Sequence, residues 1–422
     1  MNGVVTDLAT PPWLRPTWTP RVGGDAATVA DVGEAGVLAA ITPHLAAADA
    51  EIGPGDDAAV LPLATGRTVV TTDSMVLDLD WRDDWSSAHD VGVKVIAQNL
   101  ADVVAMGARP TGVVVALATE ERTRVDWLVE LTDGMADELR RAGCGSLGGD
   151  LSGAPAGTVV ITVTALGELA PGAPALTRSA ARPGQVVVVS DRLGRSQAGL
   201  LVLSGEVAWS PRDAGATARR DPGPSVADEF PHADADADAN QALRTCADDR
   251  QAPPTDGEAA SRAAVGAGPP AAANGAAEAV ARECVTFHRA PRPRYAGDEA
   301  VSAGMGVAMD VSDGLGRDAA RLAAASGVGI ELDRAALERM AAPLRPLLGD
   351  RALDCVLASG EEHALLGTCD ADAVPPGWHV IGRVVAPAAS TSGRRAAVTL
   401  DGVDVVERGW SHYERARPSS SD

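Results

Sequence analysis

The chain has 422 residues, is 45% hydrophobic but only 3% aromatic, and carries a net charge of −22. That length suits two or three domains whose cores are built mainly from Ala, Val and Leu. The acidity argues against nucleic acid and anionic membranes as partners, and no apolar stretch reaches the roughly 20 residues needed to span a bilayer. Five scattered cysteines without a C-x-x-C pair (Cys144, Cys246, Cys284, Cys355, Cys369) exclude a disulfide framework and a zinc site. Together with a proline-interrupted N-terminus, they point to a soluble cytoplasmic protein with reduced thiols.

Residues 1–28 read as a loose, disordered tail rich in Pro, Thr and Gly. Helical spacing follows over 32–47, then a turn-rich loop, Ile52-Gly-Pro-Gly-Asp-Asp57. β-Branched residues predict a strand over 68–72, ending at Asp73. A helix is predicted over 90–106 with Gly107 as its stop, a strand over 111–118, a helix over 127–142, a glycine-punctuated loop over 144–150 and a strand over 159–166. This first unit spans 29–170.

A second unit, 171–415, opens with a turn at 181–184, a strand over 185–190 and a short helix over 196–203. Residues 206–280 lose apolar periodicity and hold 13 acidic residues against 6 arginines. Such a stretch cannot bury enough apolar area to offset its ordering entropy, so a disordered insertion is expected. Strands at 307–311, 330–332, 379–385 and 397–400 and helices at 314–326 and 337–348 complete the unit, and 416–422 is a tail. The fold class expected is mixed α/β, two related units sharing a cleft.

Lys94 is the only lysine, and its neighbours do not make a Gly-Lys-Ser/Thr loop, so any nucleotide site here is not a P-loop. Aspartates instead recur beside glycines and at strand ends: Gly55-Asp-Asp57, Thr72-Asp73, Gly148-Gly-Asp150 and Asp310-Val-Ser-Asp313, with Asp102 on a helix. Singly, each suits a turn or a helix cap. Jointly they suit hard oxygen-lined sites, because Mg²⁺ takes one or two carboxylates and completes its shell with waters and phosphates. The helix expected after Asp313 offers backbone N–H groups at its N-terminus as a phosphate seat, or a simple cap by Ser312 or Asp313.

These segments resemble the thiamine-monophosphate kinases, within the larger PurM-like group that includes aminoimidazole ribonucleotide synthetase. The resemblance rests on IGPGDDAAVL (52–61), TTDSMV (71–76), DVGVKVIAQNLADVVAMGARP (90–110), GGD (148–150), LTRSAARPGQ (176–185), MDVSDGLGRDAARLAAASGVGIELD (309–333), SGEEHALL (359–366) and GWSHY (409–413). It implies two PurM-like domains, a homodimer through the N-terminal domain, and Mg²⁺-dependent transfer from ATP to thiamine phosphate. It further implies Mg²⁺ at Asp57, Thr71, Thr72, Asp73, Asp102, Asp150, Asp310 and Asp313, with Asp150, Asp310 and Asp313 central to catalysis. ATP would contact Gly149, Arg178 and Ser312, and the thiamine end would contact Glu361 and Trp410.

The chain departs from the family pattern in placing Asp80-Trp81 where many members carry His-Phe, a histidine linked to the substrate. It also has Ser359-Gly-Glu-Glu362 for Gly-Gly-Glu-Asp, and Leu151 for Thr. The rival readings are another PurM-like ATP-using synthetase and a non-catalytic nucleotide-binding relative. Selenophosphate synthetases use a Cys and a Lys near the N-terminus, and residues 1–50 hold neither.

Overall fold

Two β-sheets, each faced by helices, carry the described part of the chain; a computed structural model describes residues 19–46, 48–51, 59–207, 271–387 and 398–405. Helix α1 (Val29–Ile41) leads into the first sheet, whose strands are β1 (Thr68–Val76), β2 (Ala108–Thr119), β3 (Gly145–Gly153) and β4 (Val159–Leu169). Their order is β1-β4-β2-β3, with β4 antiparallel to both neighbours and β3 parallel to β2. Helix α2 (Ala88–Ala105) follows β1, and α3 (Val125–Ala142) makes the crossover between β2 and β3 that a parallel pair requires.

Alternation in the strands sends Val113, Ile161, Val163 and Ala165 to the helix side, where they meet Val91, Val95, Leu100, Leu128, Leu131 and Leu139. The two helices touch backbone to backbone. A Cβ at Gly92 would lie 2.2 Å from the Leu131 carbonyl, and one at Gly134 would lie 2.1 Å from the His89 carbonyl. Ser87 caps α2 by accepting from the Asp90 N–H, while Asp90 accepts from the Ser87 N–H.

The second sheet comprises β5 (Val186–Val189), β6 (Val307–Asp310), β7 (Gly329–Leu332), β8 (Leu365–Cys369), β9 (His379–Val385), β10 (Val398–Leu400) and β11 (Val403–Asp404), in the order β11-β10-β7-β9-β5-β8-β6. Helices α4 (Arg195–Leu203), α5 (Ala271–Arg289), α6 (Gly297–Ser302), α7 (Leu315–Ser326), α8 (Arg334–Ala341), α9 (Arg345–Leu348) and α10 (Ala352–Leu357) accompany it. Val104 and Ala105, at the end of α2, pack with Leu176, Val188, Met305, Leu365 and Trp378. Apolar contact thus runs from the first sheet's helix into the second sheet.

The mixed α/β class stands, with local differences. Residues 145–153 are the edge strand β3 rather than a loop: β2 supplies its hydrogen bonds, a long-range gain that a glycine-rich stretch does not advertise. Strand β1 continues through Asp73 to Val76 because β4 pairs with it that far. The stretch 337–348 is broken into α8 and α9 by a 3₁₀ turn at Ala342–Leu344 containing Pro343. The helix α5 occupies the end of the span expected to be disordered, with Ala281, Cys284 and Val285 in the core; 208–270 lie outside the described residues. Arg21, within the expected tail, is buried and donates to Asp83 at 2.7 Å and Glu120 at 2.6 Å. Cys144, Cys284, Cys355 and Cys369 are free thiols, and burial pushes the first three up to about 12.

Candidate active site

Strand β1 deals its polar residues to two faces. Thr71 donates to the Asp102 carboxylate at 3.0 Å, and Asp73 accepts from Gln98 Nε2 at 2.7 Å, so both face α2. Thr72 lies between them and points the other way. Its hydroxyl donates to the Val163 carbonyl and accepts from Thr164 on β4. The Thr72 hydroxyl is therefore apart from the carboxylates it was grouped with, as the period of two requires.

Helix α2 answers with a stripe. Lys94, Gln98 and Asp102 stand four residues apart, on one side of a largely apolar helix. Lys94, 2% exposed, donates to the Asp80 carbonyl at 3.1 Å and pairs with Glu361 Oε1 at 2.6 Å. Gln98 reaches Asp73 and Asp102 reaches Thr71. Asp102 is pushed up to about 6, first by burial and then by the negative charge of Asp310, with Asp73 adding to the rise. Asp310 belongs to the other sheet, so the fold brings carboxylates from both halves into one field.

Asp310 ends β6 and is 4% exposed, with His363 Nδ1 3.4 Å from its Oδ2. Beyond it the chain stays zipped to the segment before β8. Val311 N–H donates to the Ala364 carbonyl, His363 N–H to the Val311 carbonyl, and Glu361 N–H to the Ser312 carbonyl. Glu361 and His363 hold left-handed backbone angles, φ 57° and 52°, unusual for non-glycine residues.

The loop just before α7 is pinned from within the helix. The N–H groups of Ser312, Asp313 and Gly314 all donate to Asp318 Oδ2, at 3.1, 3.0 and 3.2 Å. These three groups, which lie before the first residue of α7 at Leu315, are thus taken by a carboxylate one turn into the helix. Asp318 is pushed up to about 7, chiefly by burial and then by Asp310. Arg321 pairs with both Asp313 and Asp318.

The remaining expected residues lie as follows. Asp80 accepts the Val76 N–H at 2.7 Å, closing the turn after β1. Asp150 lies on β3 and accepts from the Ser152 hydroxyl at 2.6 Å. Gly149 meets the Val115 carbonyl so closely that a Cβ would stand 1.9 Å from it. Arg178 is exposed, in the segment that joins β6 through Thr177, and its carbonyl accepts from Ser326. Asp57 and Trp410 lie outside the described residues.

Comparison with known proteins fits this geometry. Residues 55–169 match the family model described as AIR synthase related protein, N-terminal domain. A thiamine-monophosphate kinase of Mycobacterium tuberculosis is 35% identical over 338 residues, 79% of each chain. One of Corynebacterium glutamicum is 32% identical over 364 residues, covering 85% of this chain and 88% of the relative. The crystal structure of thiamine-monophosphate kinase from Stenotrophomonas maltophilia K279a superposes with a TM-score of 0.57 at 27% identity, over 83% of this chain and 91% of that one.

The chain belongs to the thiamine-monophosphate kinase family. Within that kinase framework, the donor set around Asp102 and Asp310 suits Mg²⁺: hard carboxylate oxygens, with Asp310 close enough to raise the proton affinity of Asp102. Among the described residues no three His, Cys, Asp or Glu side chains surround one point as an all-protein cage would. Mg²⁺ does not ask for one, since waters and substrate phosphates fill most of its shell.

Sequence reading missed Gln98, Asp318, Arg321 and the role of Lys94. One signal was present: polar residues at 94, 98 and 102 interrupt the apolar pattern of a helix buried on most sides. Asp318 carried none, because an acid in a first helical turn reads as an ordinary dipole partner.

Proposed function

We propose that the chain binds ATP and thiamine phosphate in the cleft between β1–α2 and the loops 310–314 and 359–363, and transfers the γ-phosphoryl group in line to give thiamine diphosphate and ADP. The chain is a thiamine-phosphate kinase by family, catalysing the last step of thiamine diphosphate formation. The observation that carries the site is the contact of α2 with β6, a helix of one half against a strand of the other, which brings Asp310 close enough to raise the Asp102 carboxyl.

The acceptor is a phosphate monoester with a second pKa of about 6, so its oxygen is a nucleophile at pH 7 without a general base. The barrier lies in bringing two anions together in line. Mg²⁺ held by Asp73, Asp102, Asp150, Asp310 and Asp313, with Asp57 as a further ligand, would supply the positive charge between them. The residues themselves hold the geometry. Thr71 and Gln98 orient Asp102 and Asp73, Asp318 fixes the backbone under Ser312 and Asp313, and Glu361 faces the thiamine end. Arg178 and Ser312 are the side chains assigned to ATP, and Trp410 to the thiazolium, where cation–π contact contributes about 0.5–2 kcal/mol.

A homodimer through the first sheet is part of the same reading. Val70 is 61% and Val114 39% exposed on the side of that sheet away from α2 and α3, apolar area that a second copy would cover. No helix among the described residues is long and apolar enough to cross a membrane, which accords with the proposed cytoplasmic location.

The test is ADP release with ATP, Mg²⁺ and thiamine phosphate, with the product identified by chromatography. Thiamine diphosphate formed one-for-one with ADP is expected. ATP binding without that product would overturn the assignment of the acceptor and favour a non-catalytic relative.

A further inference from the structure

Basic residues in this chain are almost all arginine: 36 lysines and arginines, with Lys94 the single lysine. That one lysine is buried in the middle of α2, and its ammonium serves two loops at once. It donates to the carbonyl of Asp80, in the turn after β1, and contacts the carboxylate of Glu361, in the loop before β8. Glu361 is assigned to the thiamine end of the acceptor, Asp80 stands where many relatives carry a substrate-linked histidine, and Lys94 contacts both. An ammonium has three tetrahedral donors on a compact head, whereas a guanidinium is a larger planar fork, so Arg in this buried place would have to move the carbonyl or the carboxylate to keep both contacts.

The surroundings make Lys94 the counter-charge for Glu361. His288 Nδ1 lies 3.4 Å from Glu361 Oε2 and 3.0 Å from the Ser196 hydroxyl. Burial, then the positive charge of Lys94, pushes His288 down to about 4, so at neutral pH it adds no charge. Ser196 is itself buried, and it and Glu361 meet His288 at the same ring nitrogen, which leaves no relay for a nucleophile. Glu361 keeps 35% of its side chain exposed while Lys94 keeps 2%. One carboxylate oxygen is thus pinned from below, and the other can still accept from a ligand, because a carboxylate offers about four lone-pair sites.

We propose that Lys94 is a positioning residue for the acceptor: it aims the Glu361 carboxylate into the cleft and ties it to the turn at Asp80, so that the thiamine end meets a fixed anion. This rests on the reading that Glu361 contacts that end. Loss of Lys94 would leave Glu361 buried on one side without a counter-charge and free to turn away.

The chain's composition supplies a direct probe. Protein labelled with [ε-¹³C]lysine gives one side-chain resonance, which needs no assignment. Adding thiamine phosphate should shift it, and Mg²⁺–ADP alone should not. A resonance unmoved while calorimetry shows thiamine phosphate bound would overturn the proposal. In kinetics, Lys94→Met should raise KM for thiamine phosphate about tenfold with KM for ATP unchanged. Glu361→Gln should do the same, and the double variant should be no worse than the weaker single one. Lys94→Arg, which keeps the charge, should restore folding but not KM. If Glu361→Gln raises that KM and Lys94→Met or Lys94→Arg does not, the role of Lys94 falls and the reading of Glu361 stands. If Glu361→Gln is silent as well, the assignment of the thiamine end falls with it.

Discussion

The two halves hold their carboxylates differently. In the first, Asp73 and Asp150 sit exposed on strands, fixed by register and by light neighbours, Gln98 and the Ser74 N–H for Asp73 and Ser152 for Asp150. In the second, Asp310, Asp318 and Glu362 are buried and bound to backbone N–H groups, a histidine or arginines. A strand can present an acid to solvent at no desolvation cost, which leaves its oxygens open to a ligand. A loop between a strand and a helix has no ladder to fix it, so its shape must come from buried acceptors. Substitutions at Asp73 and Asp150 should be felt in activity alone, and those at the buried acids of the second half in activity, stability or pH response.

The sharpest contrast lies in turnover. Asp310→Asn is expected to lower kcat/KM about 100-fold or more while the melting temperature holds or rises, since a buried like-charge contact disappears. Asp73→Asn should change stability by no more than about 0.5 kcal/mol, because its side chain is exposed. ADP-release kinetics beside thermal melts check both, and full activity in the Asp310 variant would sink the metal assignment.

Next is Asp318→Ala, which strands three N–H donors and the partner of Arg321. A loss of about 3 kcal/mol in urea unfolding is expected, with a fall in activity even at saturating Mg²⁺. If stability is unchanged, the loop is held by something other than Asp318.

A comparable effect, dependent on pH, is expected at Glu362. Burial raises its carboxyl from an ordinary 4.5 to about 7, with Asp191 adding to the rise. A raised acid favours the folded state most where it is protonated. Its contribution is full below 4.5 and is lost as pH climbs through 7. Glu362→Gln keeps an acceptor for the Ser196 N–H and removes that loss. It should melt higher than the parent at pH 8, by about 3 kcal/mol, with the gap closing below pH 5. A gap that does not vary with pH would show that Glu362 is ionised throughout.

The smallest effect should come from the insertion. Deleting 211–268 is expected to leave kinetics and melting within error of the parent. Extending the deletion to 280 removes the first turns of α5 and the packing of Val280, and should lower the melting temperature by a few degrees. Equal behaviour of the two deletions would mean that this part of α5 contributes nothing.

The amino-acid sequence by itself determined the local periods: the strands read at 68–72, 111–118 and 159–166, the helices read at 90–106, 127–142 and 314–326, each within an observed element or within a few residues of it, and the family resemblance carried by the segments at 90–110 and 309–333. Those features depend on neighbours within a few residues, which is where periodicity and turn chemistry act. Tertiary structure alone decided which polar groups meet. It made 145–153 a strand by pairing it with β2, gave the N–H groups of 312–314 to Asp318, and brought Asp102 to Asp310 and Lys94 to Glu361 across the chain. Partner choice follows from how buried faces pack, and a buried charge keeps whichever counter-group that packing delivers, so residue spacing cannot name it in advance.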